Sequence, residues 1–199
     1  MKNLYRDWKG VGLKLNFIKI LKDFPEIEGE KIRLRKIKLE DGNELFKYYS
    51  NEKVHRYLDW NGPETLDRSY EVINIWDKGY IDGWIIRFAI ADKVTDKIIG
   101  TIFLNEFEGK RAEVGYELSE SYWRKGIMSE AMHKVISFGF KKLGLGRIQA
   151  FVCEENIASR GLLKKLNFKE EGYLRKFECH TVTGECKDMY IYGLLNTEF

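Results

Sequence analysis

The run Trp123-Arg124-Lys125-Gly126-Ile127-Met128-Ser129-Glu130-Ala131 constrains this chain more than any other, because it joins a strand-like segment to a long amphipathic helix through a basic glycine turn. Amides in a first helical turn have no intrahelical partner, and the macrodipole adds partial positive charge at the same place. A phosphate or pyrophosphate fits such a turn without a dedicated side chain. Any fold for this chain must therefore present that turn at the end of a strand, open to an anionic ligand.

The 199 residues are 44% hydrophobic and 14% aromatic, enough for one well-packed domain and against disorder. A net charge of +3 suits an anionic small ligand and falls short of the concentrated basic face that nucleic acid requires. Residues 1–24 scatter Lys2, Arg6, Asp7, Lys9, Lys14, Lys19 and Lys22 among apolar positions, so neither a signal peptide nor a membrane span is expected. Leu13, Phe17, Ile18, Ile20, Leu21 and Phe24 are partly helix-periodic. Residues 1–29 are expected to form a helical extension that packs on the domain or on a second subunit, with the domain proper over 30–199. Cys153, Cys179 and Cys186 are an odd number without zinc-type pairing. They suggest a reduced, cytoplasmic protein; Cys179 and Cys186 can face one another across a hairpin, but no disulfide is expected. His55, His133 and His180 lack ligand spacing, so no metal is expected.

Periodicity places strands over Ile32–Ile37, Trp84–Ala91, Lys97–Asn105, Arg111–Leu118, Ile148–Cys153, Phe168–Cys179 and Asp188–Leu195. Helices are expected from Leu39 to Tyr49, Leu66 to Lys78, Gly126 to about Leu143 and Asn156 to Leu166. Met128, Met132, Val135, Ile136, Phe140 and Leu143 form the core face of the third of these, and Gly144 or Gly146 ends it. This order specifies an α+β fold (α/β by some schemes), a mixed sheet with helices on its faces rather than a doubly wound nucleotide fold.

Several pieces in register then become recognisable: Ala112-Glu113-Val114-Gly115-Tyr116-Glu117-Leu118, Tyr122-Trp123-Arg124-Lys125-Gly126 with Ser129-Glu130-Ala131, Leu143-Gly144-Leu145-Gly146-Arg147-Ile148, Asn156-Ile157-Ala158-Ser159, Leu166-Asn167-Phe168, Glu170-Glu171-Gly172-Tyr173-Leu174-Arg175 and Asp188-Met189-Tyr190. From about Ile32 to Leu195 the chain resembles the GNAT acyl-CoA N-acyltransferases, specifically their RimJ/RimL branch of ribosomal-protein N-terminal acetyltransferases. The resemblance implies the GNAT fold, a mostly antiparallel mixed sheet of six to seven strands with helices on both faces. It implies acetyl-CoA as cofactor, its pyrophosphate on the amides of Trp123, Arg124, Lys125, Gly126, Ile127, Met128 and Ser129. Met128 departs from the small residue of the family pattern. Val114, Tyr116 and Leu118 would bond the pantetheine arm as an added strand, and Gly115 either permits close ligand approach or marks a packing gap.

The resemblance also implies acetyl transfer to a primary amine by direct attack, most simply the N-terminal amine of a protein or peptide. The alternatives are a small-molecule amine acetyltransferase, polyamine or aminoglycoside-like, and a non-catalytic acyl-CoA-binding module. Attack requires a neutral amine and hence a base. Glu178 is the first candidate, where the ribosomal enzymes place theirs, and Glu113 the second; Glu117 shares the face of Glu113. The usual family tyrosine acid is absent, its position being Leu163. Ser159 takes that role in the resembled branch, with Asn156 bonding the pantetheine; plain helix capping by Asn156 is the competing reading. Tyr57, Trp60 and Trp84 are expected to line the acceptor site, with Asp59 and Glu64 attracting a cationic amine. A monomer or homodimer is expected, with no nucleic-acid or membrane partner.

Overall fold

Alternation at Ile32-Arg33-Leu34 becomes a strand in which both aliphatic residues are fully buried while Arg33 reaches the surface and pairs with Glu28. The computed structural model describes residues 23–199, so the helix expected around Leu13–Leu21 lies outside the described residues. The strands are β1 (Ile27–Glu28), β2 (Ile32–Lys36), β3 (Ile85–Asp92), β4 (Ile98–Glu108), β5 (Arg111–Leu118), β6 (Arg147–Cys153), β7 (Lys169–Cys179) and β8 (Cys186–Leu195). The helices are α1 (Gly42–Tyr49), α2 (Glu52–His55), α3 (Leu66–Asp82), α4 (Ile127–Lys141) and α5 (Ile157–Lys165).

All eight strands form one sheet in the order β1-β2-β3-β4-β5-β6-β8-β7, antiparallel throughout except between β5 and β6. The strand beyond the expected six or seven is β1, whose Ile27 pairs with Leu34. It carries the sheet just ahead of residue 30. On one face, Met132, Val135 and Ile136 of α4 and Leu163 of α5 pack against Phe88, Ile102, Leu104 and Val114. On the other, Leu45 and Tyr49 of α1 and Ile73 and Trp76 of α3 pack against Ala89 and Ile98. Both apolar faces of the sheet are thereby removed from water, the dominant favourable term in such a fold.

Two helical details depart from expectation. The short α2 starts because Asn51 Oδ1 accepts from Lys53 N at 3.1 Å, a side-chain cap. Helix α3 continues to Asp82, past Lys78, until Gly83 adopts the left-handed φ of +77° that ends it.

The parallel contact of β5 with β6 spans only Arg111–Glu113 against Arg147–Gln149. Beyond it, β5 stays with β4 as far as Leu118, while β6 stays with β8 as far as Cys153. The sheet therefore opens in a V between Val114 and the end of β6.

The expectation of free thiols at Cys179 and Cys186 is corrected. They form a disulfide with Cα atoms 3.9 Å apart, because the β7–β8 ladder places the two residues directly opposite each other. Cys153 is the free cysteine and is buried. Thiol titration of the oxidised native protein is accordingly expected to find no fast-reacting group, one after unfolding, and three after unfolding with reductant. Two fast thiols in native protein never exposed to reductant would contradict the pairing.

Candidate active site

The glycine turn is pinned to the end of β5 by Trp123, whose Nε1 donates to the Leu118 carbonyl at 2.7 Å. Arg124 and Gly126 take left-handed φ values of +58° and +79° on either side of Lys125, the kind of alternation that gathers successive N–H groups on one side. Gly126 is the N-cap of α4 and supplies no capping side chain, so the first-turn amides are left for a ligand. Space is available: a Cβ built at Gly126 would meet only Lys31 Nζ, at 3.9 Å. That ammonium donates to the Lys125 carbonyl at 2.9 Å and adds positive charge to the rim. Met128 packs against the main core, so the bulk that departs from the family pattern is accommodated within the fold. The turn fits a pyrophosphate.

The V continues from this cradle. Beyond Glu113 the β6-facing edge of β5 has no strand beside it, which suits a chain of amides bound as an extra strand. Gly115 resolves toward packing: its missing Cβ leaves room for the Phe103 ring of β4, with which a Cβ would overlap. On the helical wall, Asn156 Oδ1 accepts from Ser159 N at 3.1 Å and caps α5. Ser159 Oγ lies 2.7 Å from Tyr116 Oη, a hydroxyl pair that joins β5 to α5. Leu163 is fully buried in the core.

The glutamates separate by environment. Glu117 is 6% exposed and fully engaged: Tyr49 Oη donates to its Oε1 at 2.8 Å, Arg87 Nη1 at 3.1 Å, and Thr101 Oγ1 also donates. It is a structural acceptor. Glu113 and Glu178 are half-buried and have no hydrogen bond or ion pair among the described residues. Burial first, and then the negative charges of Glu178, Glu106 and Asp59, push Glu113 up to about 7 despite the nearby Arg111. Burial, and then Asp59, raise Glu178 as well. Lys187, opposite Glu178 in the ladder, instead donates to the Arg56 carbonyl at 2.8 Å. Two unpaired, partly buried carboxylates on one side of the sheet are costly to stability and match a functional site.

The β7–β8 tip closes over this corner. Thr181 donates through N and Oγ1 to the Asp59 carbonyl at 2.7 and 2.9 Å, and His180 Nε2 lies 3.0 Å from Asn61 Oδ1. The loop bearing Asp59 and Trp60 is thus held to the strand bearing Glu178. Trp60 itself packs on Tyr49, with ring centroids 5.2 Å apart. The Tyr57 ring is approached by the cations of Arg56, at 5.4 Å, and Lys187, at 5.8 Å. Trp84 stands against Gly79 of α3 at the start of β3, apart from the other two.

Arg87 is a further residue of this site, absent from the sequence-based candidates: its guanidinium packs on the rings of Trp76 (4.2 Å) and Phe103 (3.8 Å) while it holds Glu117. An arginine inside the otherwise apolar run Ile85–Ala91 was the available signal. A separate cleft of about 500 Å³ near the turn is lined by Lys47, Asn51, Lys97 and Glu120 among others. Lys97 pairs with Glu44 and Asn51 with Glu120 there, and it holds none of the candidate acetyl-transfer groups.

A family model described as an acetyltransferase (GNAT) domain matches residues 31–169. The uncharacterized N-acetyltransferase p20 of Bacillus licheniformis is 38% identical over 172 residues, 85% of this chain and 96% of that protein. The putative ribosomal N-acetyltransferase YdaF of Bacillus subtilis is 27% identical, covering 85% of this chain and 94% of its own length. The spermidine N(1)-acetyltransferase of Escherichia coli is also 27% identical, covering 72% and 75%. Among solved structures, a GNAT-family acetyltransferase from Bacillus anthracis superposes with a TM-score of 0.76 at 27% identity, covering 87% of this chain and all of that one. The chain belongs to the GNAT acetyltransferase family. It is an acetyl-CoA-dependent N-acetyltransferase.

The raised Glu113 carries a linkage consequence. Its folded-state value of about 7 lies above the ordinary 4.5, so the charge penalty is absent below that ordinary value, grows as pH rises from there to about 7, and levels off above it. Glu113→Gln is therefore expected to raise the Tm at pH 8 and to leave it unchanged near pH 4.5. An equal gain at both pH values, or a loss at pH 8, would contradict the burial assigned to this carboxyl.

Proposed function

We propose that the acceptor is the N-terminal amine of a protein or peptide, acetylated by direct attack at the corner where Glu113 and Glu178 meet the open edge of β5. The observation that carries this reading is the pair of unpartnered carboxylates with raised proton affinity beside that edge. Bound acetyl-CoA supplies the acetyl group as a thioester. The amides of Arg124 through Ser129 would hold its pyrophosphate; the expected Trp123 amide is corrected out of this set, because it already donates to the Glu120 carbonyl at 3.0 Å. The backbone edge of Val114–Leu118 would align the amide-rich arm with Asn156.

An arriving amine is an ammonium at neutral pH, an α-amine less completely than a lysine. Glu178 and Asp59 attract that cation, and Glu113, titrating near 7, takes its proton. An α-amine asks less of such a base than a polyamine nitrogen does, which favours the peptide acceptor. Ser159 Oγ donates a hydrogen bond to the departing sulfur. Trp60 and Tyr57, on the loop fastened to the β7–β8 tip, form the near wall for the acceptor, and Trp84 the far one. The resemblance of the chain to the YdaF protein supports a ribosomal-type acceptor. The acidic surroundings of Glu113, together with the likeness to a spermidine enzyme, support a polyamine as the second reading.

Thiol release measured over a panel of N-terminal peptides and polyamines separates these readings. Turnover on peptides is expected to exceed that on spermidine; release with spermidine alone would overturn the peptide reading. On one peptide, Glu113→Gln is expected to lower kcat/KM by about 100-fold and remove the rise of rate through pH 7. Glu178→Gln is expected to shift that rise toward lower pH, because a negative charge near Glu113 is gone. Full turnover in both variants would refute the base assignment.

A further inference from the structure

Where the family's usual tyrosine would stand, this chain has Leu163, fully buried and without a proton to offer. A different tyrosine reaches the same wall from the other side of the V. Tyr116 lies on β5, cross-strand from Ile102, so its ring shares the face on which α4 and α5 pack. It is the one β5 side chain whose polar atom meets α5, with Oη 2.7 Å from Ser159 Oγ. That contact lies past Glu113, where β5 and β6 have already parted. It therefore spans the opening that the thioester arm must follow. A mere core tyrosine needs a partner for its hydroxyl, but any backbone carbonyl would serve; here the partner is the serine proposed to face the sulfur.

We infer that Tyr116 is a positioning residue for acetyl transfer, its hydroxyl donating to Ser159 Oγ so that the serine proton is aimed at the leaving sulfur. This inference rests on the site proposed above. The amine nitrogen bonds to the acetyl carbon, the carbon–sulfur bond breaks, and its electron pair remains on sulfur. The proton lost by the amine rests on the glutamate and passes to water. The thiolate, stabilised meanwhile by Ser159 O–H, takes a proton from water on release. A hydroxyl that accepts one hydrogen bond becomes a better donor of the next. A free serine hydroxyl rotates among its wells, and Tyr116 occupies one of its lone pairs and so fixes the proton's direction. Burial raises the Tyr116 phenol to about 12, so it keeps its proton throughout the working pH range and remains a donor.

The test is a double-mutant cycle in the full chain, with Tyr116→Phe, Ser159→Ala and their combination. For each, kcat, KM and the calorimetric Kd for acetyl-CoA are measured, with Tm as the folding control. Tyr116→Phe keeps the ring and its packing. It is expected to lower kcat about tenfold, the scale of one hydrogen bond between neutral hydroxyls, with KM and Kd for acetyl-CoA within about twofold. In the Ser159→Ala background the same substitution is expected to cost nothing further, because residues that act as a unit are non-additive. Losses that multiply in the double variant would overturn the inference. So would full kcat in Tyr116→Phe, or a fall explained by weaker acetyl-CoA binding. Full kcat in Ser159→Ala refutes the serine and this inference together but leaves the glutamate base standing. Failure of the wider reading shows elsewhere, as the absence of thiol release from the unsubstituted protein on every amine.

Discussion

Beyond Glu113, β5 has a strand on one side only, and the rest of the site follows from that. A parallel contact limited to Arg111–Glu113 leaves the β6-facing edge of Val114–Leu118 with hydrogen-bonding groups that the sheet does not use. Such an edge invites another strand. Here it is shielded by α4 and α5 on one face and continues directly into the Trp123–Ser129 turn, so the partner it accepts is an extended, amide-containing ligand ending in phosphate. Trp123 joins the two features physically by donating to the last carbonyl of β5.

The same strand assigns two glutamates opposite fates. Glu113 and Glu117 lie on one face, yet Glu117 is met by donors from α1, β3 and β4 while Glu113 meets none. Three donors offset the burial of Glu117 and fasten α1 to the sheet. Arg87, held between Trp76 and Phe103, brings the compensating charge, and the Phe103 ring in turn fills the space left by Gly115. Glu113, lacking such help, responds to burial by holding its proton more tightly. Reactivity at one end of β5 and rigidity at the other thus arise from which neighbours reach the carboxylate.

Features set by local periodicity were legible from the sequence. Strands β2 to β8, the four longer helices and the glycine turn follow from spacing and residue type, whereas the two-residue β1 is too short to show a period. The family was legible because several short motifs stand in register. What spacing does not encode is which distant side chains meet. The engagement of Glu117 depends on Tyr49, Arg87 and Thr101 from separate elements, and the hydroxyl pair on residues 43 positions apart. The disulfide was misjudged because the odd cysteine count suggested a reduced protein, whereas the ladder register places Cys179 opposite Cys186. Nor does spacing encode that Trp60 packs its ring on Tyr49 of α1, from which the α2 segment and its loop separate it in sequence.

Hydrogen–deuterium exchange with and without acetyl-CoA tests the central claim most directly, because it reads the backbone groups on which the site is built. Protection is expected along Val114–Leu118 and over Gly126–Glu130, with no change at the cleft beside α1. Protection confined to that cleft, or none on β5 at saturating acetyl-CoA, would contradict the account.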